Sequence, residues 1–133
     1  MAYINVEDIE YEEPEQFIKE ILTNEKIIEV DICEQPLNSW IGVIFHYDGT
    51  KETYYNLPMN GVIEIMRKLG YSENDYPYWI REDGVKMFGD YVMVAAPLDI
   101  YPRCTIVETS LGTGMVCDTG EMIGHWFDIA VDW

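Results

Sequence analysis

Apolar positions recur along the chain with two different periods, and the changes between them mark out the elements. After Pro14, Phe17, Ile18, Ile21 and Leu22 follow helical spacing, and Glu7, Asp8, Glu10, Glu12, Glu13 and Glu15 lie ahead of them, where acid complements the positive end of a helix dipole. The period then shortens. KIIEVDICE (26–34), WIGVIFHY (40–47) and KETYYNL (51–57) are β-branched and aromatic, and Asp48-Gly49 is a hairpin turn signal, so this region predicts a three-stranded meander. In MNGVIEIMRKLG (59–70) the helical period returns: Val62, Ile63, Met66 and Leu69 share one face, and Gly70 is placed to cap the end.

YSENDYPYWIREDG (71–84) is interrupted by Pro77 and crowded with aromatic side chains, which predicts a packed loop or a short broken helix. Beyond it YVMVAA, CTIVET, GMVCD and FDIAVDW alternate with Pro97, Pro102, Gly112, Gly114, Gly120 and Gly124, the signature of close-set short strands in a small barrel. The expected fold is α+β, mostly β, with one or two short helices. A single domain is expected over 1–133, with an acidic helix and N-terminal β-meander in 1–58 and a helix followed by the barrel segment in 59–133.

Composition adds one strong constraint. The chain has 25 Asp and Glu against 8 Lys and Arg, a formal net charge of -17, yet 48% of its residues are hydrophobic, enough for a folded core. Such a surface repels phosphate backbones, anionic lipid and anionic cell-wall polymers, so direct nucleic-acid binding is not expected. It favours a basic partner or mimicry of a nucleic-acid backbone. The amino terminus carries neither a basic segment nor an apolar run, which predicts no secretory signal, no membrane association and cytoplasmic synthesis. Cys33, Cys104 and Cys117 lack CxxC spacing and are expected as buried structural thiols.

The candidate chemistry is concentrated in VCDTGEMIGHWFD (116–128). Asp-Thr-Gly is the triplet of an aspartic protease half-site, but only fifteen residues follow Asp118, leaving no room for the flap and barrel such a half needs. A metal site is not expected: Cys117 and Asp118 are neighbours on a strand and should point to opposite faces, and no cofactor is implied. What remains is the pair Asp118 and Asp128 across a Gly-rich turn. A buried or paired carboxyl there has the means to act as a general acid near neutral pH, whereas an Asp in a turn can equally serve only to accept backbone N–H bonds.

VMVAAPLDIYPRCTIVETSLGTGMVCDTGEMIGHWFDIAV (92–131) resembles the three-aspartate (3D) domain, a six-stranded double-psi β-barrel. Its pattern is a Val-Ala strand, an Asp-Pro loop, Pro-Leu-Gly-Thr, a Gly-x-Gly strand, Asp-Thr-Gly-Gly and Gly-x-x-x-Asp. Asp118 matches the second family aspartate and Asp128 the third. Pro97 stands at the first, with Asp99 two positions on, and Cys104 stands where the family has the glycine of Pro-Leu-Gly-Thr. The preceding segment is similar to the leader of small 3D-type proteins of Firmicutes and their phages. In the membrane-bound lytic transglycosylase A branch, the position of Asp128 is the catalytic acid and that of Asp118 supports it. The resemblance therefore implies peptidoglycan glycan cleavage or binding, with Asp128 and Asp118 catalytic and His125 and Asp99 lining the substrate cleft. The alternative is a non-catalytic acidic interaction protein of phage or mobile-element origin.

Overall fold

The computed structural model describes residues 35–133; the helix expected after Pro14 and the strand expected at 26–34 lie outside them. Eight strands and one helix follow in chain order: β1 (Val43–Phe45), β2 (Lys51–Tyr55), α1 (Asn60–Lys68), β3 (Tyr78–Ile80), β4 (Lys86–Phe88), β5 (Tyr91–Ala95), β6 (Ile106–Thr109), β7 (Gly112–Asp118) and β8 (Trp126–Ala130). The described part is thus mostly β.

Local signals account for the first elements. β1 and β2 pair antiparallel through the Asp48-Gly49 turn, where Gly49 takes φ 91° and the Asp48 carboxylate accepts the Thr50 N–H at 2.9 Å. The apolar face of α1 buries Met66 beside Val62 and Ile63. Its end is a Schellman motif: the Tyr71 N–H donates to the Met66 carbonyl, the Gly70 N–H donates to the Arg67 carbonyl, and Gly70 sits at φ 103°. In the loop that follows, Tyr71 meets Tyr76 edge-on and Tyr76 stacks on Phe88. Tyr78–Ile80 departs from the expected loop or broken helix, because it pairs antiparallel with β4 and becomes an edge strand.

All eight strands join one mixed sheet organised around β5. The main path runs β1-β2-β8-β5-β4-β3. One edge of β5 pairs in parallel with β7, which carries β6 on its far side; the other edge is shared between β4 at its start and β8 at its end. β2 and β8 are also parallel. Two parallel pairs in a sheet of short strands require crossing connections rather than a simple succession of hairpins.

Residues of alternate parity on β5 feed two cores. Val92 and Val94 point with Val116, Phe127 and Ile129 into one cluster, which includes Leu37 and Ile44. Met93 points with Met115, Cys117, Ala130 and Phe88 into the other, which α1 covers through Met59 and Met66. Gly114 permits the close β5–β7 approach: a Cβ there would lie 2.7 Å from a Val94 methyl and 3.0 Å from the Val92 carbonyl oxygen.

Cys104 is the only non-glycine described residue with positive φ, at 81°. Its N–H donates to the Val116 carbonyl at 2.7 Å, so the left-handed conformation serves the approach of this loop to β7. A side chain in that region costs about 1–2 kcal/mol. Comparing Cys104→Gly with Cys104→Ala isolates this strain, since both remove the thiol. The glycine variant is expected to be the more stable by about 1 kcal/mol in urea unfolding; equal midpoints at equal slope would show that the backbone is unstrained.

Candidate active site

The alternating strand pattern sets the candidate carboxylates in one row. Thr53 on β2 registers with Asp128 on β8, Asp128 with Ala95 on β5, and Ala95 with Asp118 at the end of β7. Registered residues on neighbouring strands share a face, so Thr53, Asp128, Ala95 and Asp118 line up across four strands. Asp118 and Asp128 flank the smallest side chain of the row, whose methyl group leaves the space between them open. Together with Tyr55, Thr119, Trp126 and their neighbours they line a cleft of about 230 Å³.

Asp118 reaches this row through an irregularity. The β5–β7 register runs Val94↔Val116 and then Ala95↔Asp118, leaving Cys117 as an extra residue. That bulge breaks the alternation that would have sent Cys117 and Asp118 to opposite faces. Cys117 is instead buried beneath α1 with Met93 and Met115, while Asp118 follows it on the same face at the cleft rim. Burial pushes the Cys117 thiol up to about 12, which keeps it protonated and inert as a nucleophile.

The two carboxyls have different surroundings. Asp118 is held at both oxygens: the Thr119 N–H donates to Oδ1 at 2.8 Å and the Tyr55 hydroxyl to Oδ2 at 2.9 Å. The Tyr55 phenol is driven well above its ordinary range by burial and by the adjacent Asp118 charge, so it remains a donor. Asp128 accepts one side-chain bond, from the Thr53 hydroxyl at 2.7 Å, and Thr53 in turn accepts the Trp126 indole N–H at 2.8 Å. Burial raises the Asp128 carboxyl above the usual carboxylate range; the Thr53 bond opposes that shift and the Asp118 charge adds to it. One carboxyl is therefore fixed as an acceptor while the other is biased to keep a proton.

His125 and Asp99 are placed elsewhere. His125 is exposed at the start of β8, its Nδ1 2.6 Å from the Tyr101 hydroxyl, and it does not line the aspartate cleft. Asp99 is exposed in the turn after buried Pro97 and is also outside the cleft lining. The partners that sequence reading missed are Thr53, Tyr55 and Trp126. Thr53 and Tyr55 come from β2, which meets β8 only in the folded sheet.

Among the described residues, no group of three or more His, Cys, Asp or Glu side chains is arranged to hold a metal ion. No described helix is long and apolar enough to cross a membrane.

The pH dependence of stability provides a test of the Asp128 environment. Its folded pKa lies above the unfolded value, so between the two the folded state holds more protons and stability falls as pH rises. Above the folded pKa the full penalty of an ionised carboxylate is present. Asp128→Asn is therefore expected to raise the thermal midpoint at pH 7, with the gain shrinking as pH falls toward about 4. A gain independent of pH, or a loss at pH 7, would contradict this assignment.

Comparison with protein families, with curated proteins and with solved structures finds no match for the chain.

Proposed function

We propose that the Asp118–Asp128 cleft is a glycan-processing site of the three-aspartate type, acting on peptidoglycan, with Asp128 as general acid and then general base. The observation that carries this reading is the row Thr53–Asp128–Ala95–Asp118, in which a carboxyl raised above the usual carboxylate range by burial shares an open cleft with a carboxyl held at both oxygens. Two further features support the family resemblance. The left-handed backbone at Cys104 occupies the position of a family glycine. The parallel pairs β2/β8 and β5/β7 suit the crossed connections of a double-psi barrel, the finer architecture we assign to the sheet.

The chemistry follows from the different environments of the two carboxyls. Protonated Asp128 donates its proton to the glycosidic oxygen as the C1–O bond breaks, and the leaving sugar departs as an alcohol. Positive charge developing at C1 is stabilised by the Asp118 carboxylate, which the Tyr55 hydroxyl and Thr119 N–H hold in place. The Asp128 carboxylate then takes the proton from the sugar's own C6 hydroxyl as that oxygen bonds to C1. A 1,6-anhydro ring results, Asp128 is again protonated, and no water is consumed. The Trp126 indole, which lines the cleft and carries the Lys51 ammonium 4.0 Å from its ring centroid, provides an apolar wall for a sugar ring.

Purified peptidoglycan at moderate salt, where repulsion between anionic polymer and acidic protein is screened, is the appropriate substrate. Release of 1,6-anhydro products is expected from the native chain, with a loss of at least about a hundredfold in Asp128→Asn. No product at high protein concentration would eliminate the enzymatic reading.

The net charge of -17 favours a second reading, a non-catalytic acidic protein that sequesters a basic partner or mimics nucleic acid. Capture of such a partner from host lysate should be lost as salt rises.

A further inference from the structure

Trp126, Thr53 and Asp128 form a chain of hydrogen bonds whose direction is set from one end. An indole nitrogen can only donate, so in the 2.8 Å contact between Trp126 Nε1 and Thr53 Oγ1 the threonine oxygen accepts. The proton of the Thr53 hydroxyl then needs an acceptor of its own, and it is donated to Asp128 Oδ1 at 2.7 Å. Accepting that bond makes Oδ1 the carbonyl-like oxygen of the carboxyl, so in the acid form the Asp128 proton resides on Oδ2. Among the described residues, Oδ2 has no hydrogen-bond partner.

The β2/β8 ladder builds this chain. Lys51, Thr53 and Tyr55 alternate on one face of β2 and register with Trp126, Asp128 and Ala130 of β8, so Thr53 is the direct neighbour of Asp128 and the diagonal neighbour of Trp126. The Lys51 ammonium rests on the Trp126 ring, 4.0 Å from its centroid, and helps to hold the indole in place. The other charged or titratable groups near Asp128 are Asp118, Glu121 and Tyr55, which line the same cleft; Tyr55 donates to Asp118. Among the described residues none of these bonds to Asp128, so the Thr53 hydroxyl decides which carboxyl oxygen accepts.

Given Asp128 as the general acid of the glycan site, the reading on which this depends, we infer that Trp126 and Thr53 are positioning residues that assign its acid proton to Oδ2. One oxygen then performs both transfers: Oδ2 gives its proton to the glycosidic oxygen as the C1–O bond breaks, and regains one from the C6 hydroxyl as that oxygen bonds to C1. In a 1,6-anhydro ring the C6 oxygen takes the place at C1 that a departing β-linked oxygen vacates, so a single proton-bearing atom on that side serves both steps. Trp126 acts on Asp128 without touching it, because a hydroxyl that accepts a hydrogen bond is polarised and donates more strongly. Without the indole N–H, the Thr53 hydroxyl is free to turn and accept from Asp128, and the proton is no longer confined to Oδ2.

Trp126→Phe keeps an aromatic wall and removes the N–H, Thr53→Val keeps the shape and removes the hydroxyl, and Thr53→Ser restores it. Carbon NMR titration of the Asp128 carboxyl in the full chain reads the relay without any substrate. The Thr53 bond lowers the Asp128 midpoint, so Thr53→Val is expected to raise it, Trp126→Phe to raise it by less, and Thr53→Ser to hold it near the native value. Greater solvent access around a smaller ring would act in the opposite direction, because burial is what raises this carboxyl; an upward shift in Trp126→Phe therefore identifies the lost N–H. On purified peptidoglycan, kcat of Trp126→Phe should fall by at least about tenfold with KM within about twofold of native. If Thr53→Val fails to fold, Trp126→Phe and Thr53→Ser decide the matter. No 1,6-anhydro product from the native chain would overturn the catalytic role together with the glycan reading. The relay itself would be overturned by an Asp128 midpoint that is unchanged or lowered in Trp126→Phe, or unchanged in folded Thr53→Val.

Discussion

The parallel pairing of β2 with β8 governs both faces of this protein. A strand has period two, so a slip of one residue between these strands would exchange everything they present. In the observed register Thr53 and Asp128 share one face while Glu52 and Phe127 share the other. The first pair brings the Asp128 carboxyl its hydroxyl donor, and Trp126 completes the link by donating to the same threonine. The second places a buried carboxylate behind His46. The aspartate row and this buried carboxylate thus lie on opposite faces of the same few residues of ladder.

β5 supplies the other half of the arrangement. Its two edges are fully committed to β7, β4 and β8, so its position is overdetermined and the row through Ala95 is held from both sides. The bulge at Cys117 then adjusts β7 by one residue. It leaves the apolar thiol under the helix and turns the following carboxylate to the rim, dividing packing from chemistry within two adjacent positions. The close contact at Gly114 keeps β7 near enough to β5 for that adjustment to set the Asp118 position.

Much of the fold was legible because its signals are local. Asp48-Gly49 closes the hairpin, and the spacing of Val62, Ile63 and Met66 with Gly70 defines the helix and its cap. The short strands after Gly84 follow from β-branched runs between turn residues. Tyr78–Ile80 was less readable, since its strand character depends on pairing with β4 rather than on its own Pro-interrupted sequence. The site was only half legible for the same reason. Asp118 and Asp128 stand out in a single short segment, whereas Thr53 and Tyr55 lie more than sixty positions away and join them through β2–β8 pairing. Alternation placed Cys117 and Asp118 on opposite faces, and a bulge, which no local residue type announces here, overrode it.

The proposed site requires Asp118 and Asp128 to form one electrostatic unit in which burial and the neighbouring Asp118 charge hold the Asp128 carboxyl above the usual carboxylate range. Carbon NMR titration of the Asp128 side-chain carboxyl measures this directly, in the native chain and in Asp118→Asn. The expected native midpoint lies above the ordinary aspartate value of about 3.9 and moves downward when the Asp118 charge is removed. A midpoint in the ordinary range that is indifferent to Asp118→Asn would contradict the account.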